Sequence, residues 1–222
     1  MTQTLLNMSL VIVVFVGLLA LLRRWRNALQ PETSRKLFHV SMGLFVLTLP
    51  LLFATVWPVI ILSALTIMMM IALRTIAGLR ERLGSVICGV KRRSLGEIYF
   101  PLGVGSVFCL SNGDRVLYSV PILILALADA AAALVGVRWG KLHFRAIGGY
   151  KSVEGSIAFF AVSLASVFLS LRLFGCAGRM EAASIALAMS FILMIVEALA
   201  WRGLDNALIP LAGFFLLKAM GM

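Results

Sequence analysis

Asp129 stands near the end of an otherwise apolar run, inside the stretch ALADAAAALVGVRWGKLHFRAIGGYKSVEGS from Ala126 to Ser156. A carboxylate in apolar membrane sequence costs on the order of 3 kcal/mol, so its usual partner is a cation, a proton or a charged substrate. Arg138, Lys141, Arg145 and Lys151 follow closely and are the expected partners. With Glu97, Glu154, Glu197 and Asp205, Asp129 makes five of the chain's nine acids that stand beside a set of Lys and Arg residues, the inventory of a phosphoryl-transfer site. Magnesium takes one or two carboxylates and fills its shell from phosphate oxygens. The phosphoryl group itself needs positioning and charge neutralisation more than covalent help. Gly148 and Gly149 would let the backbone approach phosphates closely, Lys151 adds charge, and Ser152 can donate a hydrogen bond or cap the next helix. GGYKS is not a Walker A motif, because Tyr150 replaces the glycine before the lysine.

These residues must be positioned by membrane helices. The chain has 222 residues, 62% of them hydrophobic, and a mean hydropathy of +1.05, which reads as a polytopic membrane protein of one domain, residues 1–222. A formal charge of +11 would suggest a nucleic-acid partner for a soluble protein. Here the basic residues lie in short segments between apolar runs, the positive-inside pattern, and no nucleic-acid partner is expected. Cys88, Cys109 and Cys176 are scattered and odd in number, which argues against a disulfide framework or a zinc site.

The expected architecture is an all-α bundle of about eight spans, seven if the last segment is re-entrant. Thr4 to Leu22 reads as an uncleaved first helix, which with the linker through residue 30 forms an N-terminal anchor. The second helix starts after a Pro-containing linker, with Thr33 or Ser34 as its cap and Arg35, Lys36 and His39 near its start. Arg35 and Lys36 serve equally as topological anchors, whereas His39, one turn inside a membrane helix, needs a polar partner. A third span covers Trp57 to Leu73. The basic segment from Arg74 to Arg93 either attracts anionic headgroups or binds phosphate through its guanidinium forks. Glu97 and Pro101 sit at the mouth of a short fourth span, Ile98 to Ser111, and a turn at Asn112–Arg115 leads to a fifth, Val116 to Val137. Asp129, Ala132, Ala133, Gly136 and Gly140 share one face of it, made for close helix packing or for a substrate groove. Gly155 to Phe174, Ala182 to Trp201 and a short Leu208 to Ala219 follow. Asp205 and Asn206 suit either a helix start or cation coordination.

With the first helix ending in the cytoplasm, sixteen of the twenty Lys and Arg residues fall on the cytoplasmic side. The same alternation brings His39, Glu97, Asp129, Lys151, Glu154, Glu197, Asp205 and Asn206 to that face.

RKLFHVSMG, RRSLGEIYFPLG, LADAAAALVGVRWG with KSVEGS, and GLDNALIP resemble, in order and approximate spacing, the CTP-dependent lipid-alcohol kinases: dolichol and polyprenol kinases, phytol kinases and CTP-using diacylglycerol kinases. The resemblance covers residues 34–210 and looks most like the small bacterial and plastid members. It implies CTP as phosphoryl donor and a cytosol-facing site, hence a multi-pass protein of a bacterial inner membrane.

The resulting expectation is transfer of the γ-phosphate of CTP to the hydroxyl of a membrane lipid alcohol (polyprenol or dolichol, phytol, or diacylglycerol). Asp129, Lys151 and Glu154 are the expected catalytic residues. Arg35, Lys36, His39, Arg92, Arg93, Gly148, Gly149, Lys151 and Ser152 are expected to hold the nucleotide. Asp129, Glu97, Glu154, Glu197, Asp205 and Asn206 are the expected magnesium ligands. Two alternatives use the same residues: a phosphatidate cytidylyltransferase, in which attack falls on the α-phosphorus, and a small ion-coupled transporter. The transporter is disfavoured by the absence of an internal repeat and by polar residues gathered at one face rather than at the midplane. The small-residue faces would permit a homodimer.

Overall fold

A computed structural model describes residues 1–25, 31–76, 94–147 and 149–222. Its elements in chain order are α1 (Thr2–Trp25), α2 (Pro31–Val46), α3 (Leu49–Leu52), α4 (Trp57–Thr75), α5 (Gly96–Ser111), α6 (Arg115–Trp139), β1 (His143–Ala146), β2 (Gly149–Ser152), α7 (Val153–Leu173), α8 (Arg179–Leu199) and α9 (Asp205–Ala219). Six segments are long and apolar enough to cross a membrane, among them α1, α4, α6, α7 and α8 and the run Thr33–Leu52 formed by α2 and α3. The protein is an all-α, multi-pass membrane bundle. Helices α5 and α9, at 16 and 15 residues, are about 24 and 22 Å long at 1.5 Å per residue, short of a bilayer core of about 30 Å.

Local chemistry explains the boundaries. Pro31 opens α2 at the first position, where a missing N–H costs nothing, so Thr33 and Ser34 lie inside the helix rather than capping it as their residue types suggested. The Thr48 hydroxyl donates to the Phe45 carbonyl (2.7 Å) and Pro50 follows, which breaks the apolar run between α2 and α3. Asn112 ends α5 with φ of 47°, and Asp114 caps α6 by accepting from the N–H groups of Val116 (2.8 Å) and Leu117 (3.0 Å).

Helix α6 is the axis of the bundle, packing on α2, α5, α7 and α9. Ile122, Ile124, Leu125, Ala126 and Ala128 are all fully buried, and the Tyr118 hydroxyl donates to the Val46 carbonyl (2.7 Å). Around α6 the core has two parts, one with α7, α8 and α9, the other with α2, α4 and α5 and the inner face of α1. Between α6 and α7 the chain forms an antiparallel hairpin, β1 against β2, pairing His143 with Ser152 and Ala146 with Gly149. This hairpin is absent from the expected architecture, which has helices only.

The small-residue face of α6 proves to be a packing surface. A Cβ at Gly136 would stand 2.9 Å from Ser152 Oγ, and one at Gly155 would stand 2.8 Å from the Ala132 carbonyl oxygen. Only glycine lets α6 and α7 approach so closely, and the gap a substrate groove would need is filled by the neighbouring helix.

Candidate active site

The polar residues converge where α2, α5 and α9 start, α4 and α8 end, and the hairpin folds back. Asp129 is 4% exposed, and its partner is Lys36 of α2 rather than any of the four cations that follow it in sequence. Lys36 Nζ donates to Asp129 Oδ2 at 2.6 Å and to the Asp129 backbone carbonyl at 3.3 Å. Lys36 is equally buried, which excludes a purely topological role for it. His39, one turn further along α2, places Nε2 3.0 Å from the Leu125 carbonyl and 3.5 Å from Asp129 Oδ2. Its ring stands edge-on to Phe100, centroids 5.2 Å apart. Close approach of α2 to α6 makes this possible: a Cβ at Gly43 would lie 2.4 Å from the Ala126 Cβ.

Asp205 begins α9 within electrostatic range of Asp129, Lys36 and Lys151. Burial, and after it the charge of Asp129, push its carboxyl up to about 6. The neighbouring Asn206 is buried, donates from Nδ2 to the Gly96 carbonyl (3.2 Å) and leaves Oδ1 with no donor among the described residues. A buried acceptor without a partner is costly, so such an atom points to a ligand. No three of the described His, Cys, Asp and Glu side chains form a ready metal cage. A magnesium ion bound mainly by phosphate oxygens does not need one, and the Asp205 carboxylate with the Asn206 Oδ1 is a donor set that fits it.

Two further ion pairs fasten this end of the bundle. Lys151, on β2, reaches Glu197 at the end of α8, with Nζ 2.6 Å from Oε1 and a second bond to the Glu197 carbonyl. Arg74, in the last turn of α4, holds Glu97 in the first turn of α5, with Nε 2.9 Å from Oε1, and also donates to the Ser94 carbonyl. Arg74 was missed as a partner for Glu97. The signal was present, since a cation closing one helix and an acid opening the next can face each other across a hairpin.

Glu154 and Ser152 serve the hairpin. Ser152 caps α7 by accepting from the Gly155 N–H (3.1 Å), and the Glu154 carboxylate accepts the N–H groups of Lys141 (3.0 Å) and Leu142 (3.1 Å) at the hairpin base. Gly149 has φ of 135°, a left-handed value that suits glycine and turns the chain into β2. Arg92, Arg93 and Gly148 lie outside the described residues.

Beside His39 opens a cavity of about 280 Å³ between α1, α2, α4 and α5, lined by neither Asp129 nor Lys36. Its polar end carries Arg35, His39, Glu97 and Asn206, and its length is walled by apolar side chains. Arg35, Phe38, His39, Met42 and Val46 line it from α2 at helical spacing, a face legible in the sequence although the cavity it borders was not. Acid, cations, a buried acceptor with no donor among the described residues and an apolar chamber thus meet at one end of the bundle, an arrangement suited to joining a phosphate to the polar end of a lipid.

Comparison with known proteins agrees. No family model matches the chain, and no solved structure matches it. The phytol kinase of Synechocystis sp. (strain ATCC 27184 / PCC 6803 / Kazusa) is 30% identical over 194 residues, covering 84% of this chain and 78% of that protein. The chain therefore belongs to the lipid-alcohol kinase family and is a phosphotransferase with an alcohol as acceptor.

Proposed function

We propose that the chain transfers the γ-phosphate of CTP to the hydroxyl of a long-chain membrane alcohol, with a phytol-like prenyl alcohol the first candidate because the Synechocystis relative is a phytol kinase. The observation that carries the reading is an apolar cavity lined at its polar end by His39, whose ring reaches the buried Lys36–Asp129 pair behind it. The alcohol oxygen attacks the γ-phosphorus, the bond to the β–γ bridging oxygen breaks, and CDP leaves. Asp129 takes the hydroxyl proton while Lys36 and His39 keep its carboxylate oriented. Arg35, Lys36 and Lys151 offset the triphosphate charge, Arg92 and Arg93 join them by residue type, and Gly148 would let the backbone approach the phosphates. Asp205 and Asn206 would hold magnesium, which when bound neutralises charge on the phosphate oxygens. The site faces the cytoplasm of a bacterial inner membrane, in keeping with the distribution of basic residues.

The test uses purified protein in liposomes with magnesium, a panel of lipid alcohols and phosphatidate, and CTP or ATP labelled at the γ- or α-phosphate. Lipid labelled from γ-CTP is the expected result. Label entering from the α-position would mean cytidylyl transfer, preference for ATP would overturn the donor assignment, and no labelled lipid with either nucleotide would overturn the reaction.

A further inference from the structure

The cavity between α1, α2, α4 and α5 is polar at one end and apolar along its length, a gradient that matches an amphiphile lying parallel to the helices. At its head stand Arg35, His39 and Asn206, the last buried with no donor to its Oδ1 among the described residues. At its floor are Val46, Leu49 and Val59, which are 7%, 4% and 1% exposed. Arg35 and Val46 are 11 residues apart on α2. At 1.5 Å per residue, head and floor are separated by about 16 Å, roughly half of a bilayer core of about 30 Å. The volume, about 280 Å³, falls at the lower edge of small-ligand pockets, roughly 300–1,000 Å³. That volume is of the order of one hydrocarbon chain.

We infer that this cavity is the tunnel for the acceptor's hydrocarbon chain: a single chain enters tail-inward, the hydroxyl rests at His39, and Val46, Leu49 and Val59 limit the length admitted. The inference rests on the lipid-alcohol reading of the reaction. Helix α1 is the outer wall. Val11 and Phe15 line the cavity, Phe15 stands edge-on to Phe38 at 6.0 Å, and Asn7 Nδ2 donates to the Leu52 carbonyl at 2.7 Å near the floor. The opposite face of α1 is exposed along its length, as a wall against lipid tails would be. A chain longer than the tunnel must buckle or leave its hydroxyl short of His39, so the floor converts chain length into rate.

The test is a chain-length profile. Prenyl alcohols of ten, fifteen and twenty carbons are offered to the wild type, to Val59→Phe and Val46→Phe, which raise the floor, and to Leu49→Ala, which lowers it. The readout is the ratio of kcat/KM for the longest chain to that for the shortest. It is expected to fall at least tenfold in the two Phe variants and to rise in Leu49→Ala. A ratio unmoved in all three would overturn the assignment of the floor, whatever the absolute rates. Independently, a twenty-carbon alcohol with a photoactivatable group at its tail is crosslinked to the wild type without nucleotide. Adducts on α2, α3 or α4 near the floor are expected, and adducts confined to outer helix faces would overturn the tunnel. Because crosslinking needs no phosphate donor, floor adducts without transfer from CTP would support the tunnel while sinking the CTP reading.

Discussion

Replacing Asp129 by Asn tests whether the central pair holds the fold, the chemistry or both. The two charges are 2.6 Å apart with side chains 5% exposed on each partner. At an effective dielectric constant of about 20 their attraction is about 6 kcal/mol, set against the cost of desolvating both. Removing one partner of a buried pair costs about 3–5 kcal/mol, because the other charge stays buried and uncompensated. Lys36 keeps its bond to the Asp129 carbonyl, which places Asp129→Asn near the lower end, about 3 kcal/mol. For a chain of this size that is a fall in Tm of roughly 6–12 °C. Lys36→Met combined with Asp129→Leu removes both charges and should recover most of that stability, since a buried pair can give way to apolar side chains of similar volume. Phosphate transfer, assayed with labelled nucleotide in liposomes below both transitions, should be lost in the single and the double variant alike. A double variant that is stable and keeps more than a tenth of wild-type turnover would refute the reasoning, because the pair would then be structural only.

Gly155→Val drives a side chain toward the Ala132 carbonyl, where even a Cβ would stand at 2.8 Å. It should destabilise the α6–α7 contact by about 1–3 kcal/mol, read by thermal unfolding, and a neutral effect would show that the helices part freely. Ser152→Ala should cost about 1 kcal/mol through loss of the α7 cap. A rise in nucleotide KM out of proportion to that loss would return Ser152 to phosphate contact. Lys151→Met should raise the nucleotide KM at least tenfold while the acceptor KM moves little, and the opposite pattern would assign Lys151 to the lipid side. Stripping divalent cations should abolish transfer and magnesium restore it; full activity in chelator would remove Asp205 and Asn206 from a metal role.

Much of the fold was legible in one dimension. The long apolar runs carry their own lengths, and a bilayer converts run length directly into a span, so the helices fall within a few residues of where hydropathy places them. Turn chemistry at Asn112–Arg115 and the periodic face of α2 are local signals of the same kind. The hairpin of β1 and β2 was missed because its strands are four residues each, too short to show a period, and because its base is held by Glu154 from the following helix.

The sequence by itself determined that this is a multi-pass membrane protein with its acids and cations gathered at one end of the helices. Which acid meets which cation was decided by the tertiary structure. Asp129 lies nearest in sequence to Arg138, yet nine residues of helix set those two about 13 Å apart along α6. Its partner is 93 residues away. Lys36 reaches it because Gly43 and Ala126 let α2 and α6 approach closely, and with both charges buried each offsets part of the desolvation cost that the other would have borne uncompensated.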